Sequence, residues 1–419
     1  MTATFPPRRL NDGSAVRACA LSNPNFNFHS PKRHMKITKK STHSRAFTCG
    51  AAAVVAMFGQ SALAQSSVTL YGTVDGGFAL LRSGAPGVGT VKAVTSGISS
   101  GSRWGLRGSE DLGGGLKAIF QLEAGLELDT GAAKAFSGNP STATPTAPNG
   151  VSATGFNRRS YVGLQSDYGT LTLGRDYTPL YHAALATDIF RLGMFGNLQT
   201  FVGPAGGSER FARVSNAVFY TSPEFNSIKA RAVYSLGSES TGAAGGLPKD
   251  ANRFLGVGAE YANAGLVLTA SFQELKYPVV GGTPAAFTGA TANRRDGLIG
   301  AKYSFGDFAL AGGYWKITAP QNATDAWVGA SMNIGKGSVM AQVQRLKQDN
   351  PTGAQRKGTA FGLGYMHNLS KRTALYASYG SVSNNATGAF AVASSDVSVA
   401  AGVTGANPSA LGLGIRHNF

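Results

Sequence analysis

The segment LKAIFQLEAGLEL alternates almost residue by residue. Leu116, Ala118, Phe120, Leu122, Ala124 and Leu126 fall on one face of an extended chain, against Lys117, Gln121, Glu123 and Glu127 on the other. The same period of two returns in SIKARAVYSL, where Ile228, Ala230, Ala232, Tyr234 and Leu236 oppose Ser227, Lys229, Arg231 and Ser235. Successive side chains of a strand point to opposite faces, so a sheet of such segments has one apolar and one charged surface. The chain also ends this way, on LGLGIRHNF, with Leu411, Leu413 and Ile415 alternating before a terminal aromatic, Phe419. A strand at a chain terminus leaves an edge that must be paired, covered or charged.

The N-terminal part reads as processing signals. Residues 36–45 (KITKKSTHSR) are basic, residues 46–59 (AFTCGAAAVVAMFG) are apolar or small, and SALA precedes Gln65. This is the layout of a cleaved secretory signal, too short for a stable spanning helix. We assign the signal peptide to 35–64, starting at Met35, and the barrel domain to 65–419. Residues 1–34 read as an upstream extension from a mis-assigned start, an extra domain being the alternative. Cleavage after Ala64 removes both cysteines, Cys19 and Cys49, so the exported chain does not rely on disulfides. It also removes nine of the 38 basic residues and one of the 21 acidic ones, which leaves 29 against 20. That surplus fits an anionic partner, but export argues against nucleic acid.

No stretch after Ala64 approaches the roughly 18–20 consecutive apolar residues of a spanning helix. Sixteen strand candidates follow instead, from 68–80, 101–109, 115–127, 155–167 and 169–177 through 265–275 and 294–304 to 409–419. Joints after the even-numbered strands are tight (DLGGG, SDYG, SPEFNS, ANAG, FGD, IGKG, LSKR) and carry the residues that turns need. The intervening joints are mostly long, including 128–154, 178–212 and 382–408. A soluble sandwich has no reason to segregate its loops this way. Short turns at one end and long loops at the other end of an even-stranded meander are the layout of an outer-membrane barrel. The fold class expected is all-β, a 16-stranded antiparallel transmembrane barrel, in which the last strand closes on the first (VTLYGTVDGGF) and removes both edges.

The exported chain resembles the trimeric general porins of Gram-negative outer membranes. The resemblance rests on VTLYGTVDGG, SRWGLRGSEDLGGGLKAIFQLE, RRSYVGL followed by YGTLTLGRDY, and RVSNAVFYTSP, in that order. It implies a homotrimer in contact with outer-membrane lipid and lipopolysaccharide, recognition of Phe419 by the barrel assembly machinery, and a third loop folded into the pore. No cofactor and no metal are implied.

That loop, 178–212, carries Phe190, Phe195 and Phe201, which argue for packing against the inner wall. In the family it narrows the lumen and sets acids across from wall arginines. Carried over residue by residue, the pattern places Arg103, Arg158 and Arg213 on the wall and Asp188 on the loop. A second loop acid common in the family is absent, with Leu192 in its place and Arg191 beside it. Strand parity supports Arg103 independently, since Trp104 and Leu106 suit lipid while Arg103 and Arg107 share the other face. For Arg158 parity is less clean, because Val162 and Leu164 would share its side. Lys117, Lys229, Arg231 and Lys302 have lumen parity and are candidates, with Arg107, for a basic ladder. Arg175 stands outside the site.

More arginines than acids in a narrow channel give a positive field that its low-dielectric walls focus. The function expected is passive diffusion of small hydrophilic solutes, with preference for inorganic anions. The alternatives are an adhesive or structural barrel and, more remotely, a barrel enzyme. An enzyme needs a base near a nucleophile, and after the signal only His182, His367 and His417 remain, with a His182–Asp188 pairing the one conceivable start.

Overall fold

The computed structural model describes residues 67–135, 154–202, 212–238, 247–248, 250–282, 286–319 and 321–419. The upstream extension, the signal peptide and its cleavage site lie outside the described residues. Sixteen strands cross the wall, the second in two pieces. They are β1 (Ser67–Arg82), β2 (Val91–Ser96 and Arg103–Gly113), β3 (Leu116–Gly125), β4 (Arg159–Ser166), β5 (Gly169–Tyr177), β6 (Arg213–Thr221), β7 (Ile228–Ser235) and β8 (Phe254–Asn263). The second half comprises β9 (Leu266–Gly281), β10 (Ala286–Phe305), β11 (Phe308–Thr318), β12 (Ala323–Ile334), β13 (Gly337–Gln348), β14 (Arg356–Asn368), β15 (Thr373–Asn384) and β16 (Ser409–Asn418).

Each strand pairs antiparallel with its sequence neighbours, and β16 pairs with β1 from Thr73↔Asn418 to Arg82↔Ser409. The terminal strand therefore has partners on both edges. Phe419 completes the closure by exchanging backbone hydrogen bonds with Gly72, both 3.1 Å. Its ring lies over Gly72, where any Cβ would collide with it.

The alternation sorts side chains to opposite solvents. Val68, Leu70, Phe78, Trp104, Val162, Leu171, Leu268, Val328, Leu411 and Leu413 are exposed on the outside, while Asp75, Gln121, Glu123, Thr172, Gln273 and Gln342 are buried within. Exposed apolar and enclosed polar residues invert the order of a water-soluble protein and suit a wall bathed in hydrocarbon. At the short-turn end of β10 and β11, Tyr303, Phe305 and Phe308 stack at 5.7 and 5.9 Å between centroids, as in an interfacial aromatic girdle.

Two features depart from the sequence reading. The hairpin of β9 and β10 runs past its expected ends at 275 and 294, because Tyr277, Val280 and Phe287 extend a β-prone run whose register shifts between Pro278 and Val280. The second strand begins ten residues before the expected 101 but breaks at 97–102. There GISSGS, with Gly97 at φ 72°, leaves the ladder and turns into the lumen, and Ile98 becomes fully buried.

Candidate functional site

The third long connection enters the barrel as a helix, α1 (Pro179–Thr187), and ends its described part in the short α2 (Gln199–Val202). Thr178 caps α1 by accepting from the Tyr181 N–H at 3.1 Å, and Pro179 supplies a first-turn residue with no N–H to satisfy. Thr-Pro before LYHAALA is therefore a helix-start signal within a loop otherwise without strand periodicity.

Past α1 the loop binds to the wall of β11–β16. The Trp327 indole donates to Thr187 O (3.1 Å), the Gln344 amide to Gly196 O and Asn197 O (2.6 and 2.9 Å), and the Phe195 N–H to Ser378 Oγ (2.8 Å). Phe195 and Phe201 are fully buried, Phe201 edge-on to Trp315 at 5.3 Å. The wall makes room with glycine: a Cβ at Gly362 or Gly380 would run into the backbone of residues 195 and 196 or the Phe190 ring. The phenylalanines thus have an apolar partner, as their presence in a long loop required.

The loop tip and the wall enclose a cavity of about 510 Å³ lined by Arg103, Arg158, Arg159, Arg191 and Arg416, with Glu123 the one carboxylate among its described lining residues. Arg103 donates from Nη1 to Ser100 Oγ (2.9 Å) and Gly101 O (2.7 Å), so the break in β2 aims it. Arg158 is buried and bonds Glu123 Oε1 at 2.8 Å and the Tyr177 hydroxyl at 2.9 Å. Its parity conflict dissolves because β4 starts at Arg159, four residues after the expected 155. Arg158 still belongs to the loop, while Val162 and Leu164 face outward. Arg213, buried at the start of β6, also reaches Tyr177 Oη (2.9 Å), lies over that ring at 4.5 Å and lines a second cavity beside the first.

Asp188 is not across from these arginines. Its carboxylate is buried inside the loop, where it accepts from the N–H groups of Phe190, Leu192 and Leu198 at 3.2, 2.8 and 3.3 Å. The reason is backbone conformation: Arg191, Leu192 and Met194 all have positive φ (53°, 59° and 60°), a strained turn for side-chain-bearing residues that needs an internal acceptor. Burial pushes the Asp188 carboxyl up to about 6 in spite of those donors. The same turn sends Arg191 out into the lumen, exposed.

His182 makes no pair with Asp188; burial with Arg231 and Arg159 nearby pushes its imidazole down to about 3. Among the described residues no three His, Cys, Asp or Glu side chains converge as metal ligands. The ladder candidates are dispersed. Arg107 lies over the Tyr71 ring at 5.2 Å, Lys229 is 3.6 Å from Glu224, Arg231 is 3.9 Å from Glu260, Lys302 lies within electrostatic reach of Arg191, and Lys117 is exposed near the short turns. Arg175 holds Asn157 O and Ser215 Oγ at 2.6 and 2.8 Å, as structural support.

Sequence reasoning missed three members of the constriction. Glu123 bridges Arg158 and Arg103, the latter at 3.7 Å. Its inward parity was legible, but nothing local showed that two arginines would converge on it. Arg159 is held bidentately by Asp176 (2.7 and 2.8 Å). Arg416 enters only because closure sets β16 beside β1, where it reaches Ser99 Oγ at 3.2 Å.

A closed, even-stranded transmembrane barrel with one loop folded into a charged constriction defines a class, the diffusion channels of bacterial outer membranes. The chain belongs to the Gram-negative porin family, whose model matches residues 51–387. It is 31% identical to the outer membrane porin protein 32 of Delftia acidovorans, over 88% of this chain and 98% of that one. It is 29% identical to an outer membrane porin protein of Bordetella pertussis, with the same coverage. Among solved structures it resembles the anion-selective porin from Comamonas acidovorans, with TM-score 0.68 and 29% identity over 85% of this chain and all of that one. The chain is an outer-membrane porin.

Proposed function

We propose that the channel prefers anions and that Arg103, Arg158 and Arg191, with Arg159, Arg213 and Arg416, make the field that selects them. The observation that carries this reading is the lining of the loop-tip cavity, where five guanidinium groups face one carboxylate, Glu123, and Asp176 behind the lining is paired to Arg159. A low-dielectric channel focuses that imbalance onto any ion passing within a few ångströms. Likeness to the anion-selective porin from Comamonas acidovorans supports it. Solutes cross by radius and charge, without bond making, and no catalytic role is assigned to any residue. The test is the reversal potential of the purified channel in a KCl gradient. An anion-selective value is expected, and a cation-selective one would end the reading.

We further propose that the channel is a homotrimer in contact with lipid and lipopolysaccharide, that Phe419 is read by the barrel assembly machinery, and that the exported chain starts at Gln65. An SDS-resistant oligomer that collapses on boiling is expected. Intact mass from outer membranes should lack residues 1–64; a mass that includes residues 1–34 would count against the processing assignment.

A further inference from the structure

The eighth long connection, 385–408, folds back into the barrel mouth. Its middle forms a short hairpin, Val392–Ala393 against Ser398–Val399, and Phe390, Val392 and Val399 are buried there. The hairpin tip is tied to the two elements that shape the constriction. The Asp396 N–H donates to Gly97 O (2.9 Å), the Gly101 N–H donates to Ser395 Oγ (2.8 Å), and the Gln199 amide of the third loop donates to Ser394 O (3.2 Å).

These ties bring the Asp396 carboxylate onto the arginine cluster. A Cβ placed on Gly101 would be 2.8 and 3.0 Å from its two oxygens and 3.1 Å from Arg158 Nη1, so carboxylate and guanidinium flank one point of the wall. On the other side Lys134 Nζ is 3.6 Å from Asp396 Oδ2 and 2.9 Å from Glu127. The Asp396 side chain is 6% exposed. It borders a cavity of about 260 Å³ that also touches Lys134, Arg158 and Arg213. Gly101 lies between this carboxylate and Arg103, which donates from Nη1 to the Gly101 carbonyl at 2.7 Å.

We propose that Asp396 is a specificity-determining residue of the channel, a carboxylate delivered by the eighth loop that sets how much of the arginine field an entering anion feels. The proposal rests on the arginine-field reading above, because it concerns what subtracts from that field. A negative charge in a recess shielded from water weakens the local positive potential more than the same charge on an open surface. The groups facing Asp396 are Lys134 and Glu127 from the second loop, Arg158 at its end, Arg213 on β6 and Tyr181 on α1, while residues 97–102 contribute only uncharged side chains. Burial raises its carboxyl above the ordinary range, with Lys134 and Arg158 pulling it back. Acidification should therefore neutralise it before most exposed carboxylates.

The test compares wild type, Asp396→Asn and Asp396→Glu in planar bilayers under a KCl gradient, from about pH 8 to about pH 5. Asp396→Asn is expected to raise the chloride-to-potassium permeability ratio roughly two- to threefold at the upper pH, and Asp396→Glu to keep the wild-type ratio. The wild-type ratio should rise on acidification, and the Asn variant should lack that component. An unchanged ratio in a conducting Asp396→Asn channel overturns the proposal, while an anion-selective wild type leaves the parent reading intact. A cation-selective wild type overturns the parent reading whatever the variant does. Should the Asn variant fail to assemble, Asp396→Ser takes its place, expected to raise the ratio in the same way; an unchanged ratio in that conducting channel likewise overturns the proposal.

Discussion

The two sides of the inner wall do opposite work. On β1–β6 the lumen-facing side chains include Arg103, Arg107, Arg159, Tyr71, Tyr161 and Tyr177, linked through Glu123, Gln121 and Asp176 and left partly open to water. On β11–β16 they are Trp315, Trp327, Gln344, Gly362, Ser378 and Gly380, and the third loop covers them. The first side presents charge to the solute and tolerates exposure, because a hydrated lumen solvates it. The second is a packed interior, built from rings, glycines and an amide, Gln344, that donates to the loop backbone, and it behaves as a core. A channel needs both: a field on one wall, and a rigid loop held by the other to keep the passage narrow enough for that field to act.

The contrast predicts where substitutions hurt most. Gly380→Leu has the largest expected effect, because its side chain would overlap the backbone of Phe195 and Gly196. Overpacking of this kind costs roughly 1–3 kcal/mol or more, which the loop can escape by lifting off the wall. Single-channel recordings should show a raised or unstable conductance; a quiet channel of wild-type conductance would mean that the loop is not held by this packing.

Arg103→Ala with Arg158→Ala comes next. Two unit charges about 8 Å apart at an effective dielectric near 20 interact by roughly 2 kcal/mol, less in salt, so relative permeability should shift a few-fold toward cations. Glu123→Gln should shift it the other way, since it leaves both arginines without their shared counter-charge. Unchanged reversal potentials in both variants would dissociate these residues from selection.

Asp188→Asn should change selectivity little, by less than about 1.5-fold, because the carboxylate faces its own loop. What it should change is pH dependence. The docked loop holds this carboxyl at about 6 against an ordinary 3.8, so the docked form binds the proton more tightly than a released one. Docking is therefore strongest below the ordinary value and weakens as pH rises through about 6. Open-channel noise should grow across that window in wild type and lose this dependence in the variant. Lys229→Ala should have the smallest effect, because that cation is partly exposed and faces Glu224, and pairs of this kind contribute roughly 0–1 kcal/mol. A several-fold change in permeability ratio there would move the filter away from the constriction.

Much of this architecture is legible in the residues. Alternation in LKAIFQLEAGLEL and SIKARAVYSL places each side chain inside or outside, tight joints mark one end, and the apolar rhythm of LGLGIRHNF requires a partner that β1 supplies. Less legible was anything that depends on leaving the ladder. GISSGS runs across the expected strand start at 101 and is a break that aims Arg103; TPLYHAALAT opens the loop expected over 178–212 and is a capped helix. Asp188 matched a family position, yet the strained turn after it claims its carboxylate.

Periodicity is a local property, set by the pleat of the backbone, and it determined the face of each residue, the number of strands and the need for closure. Which residues meet across the lumen is set by the angular position of each strand around the closed wall and by the path of two inward loops. That decision brought Glu123 between Arg103 and Arg158, Arg416 beside Ser99 and Asp396 against Lys134. Only the tertiary structure could make it, because those side chains lie tens to hundreds of residues apart and share no local pattern. Their energies come from distance in space and from the low dielectric of the site.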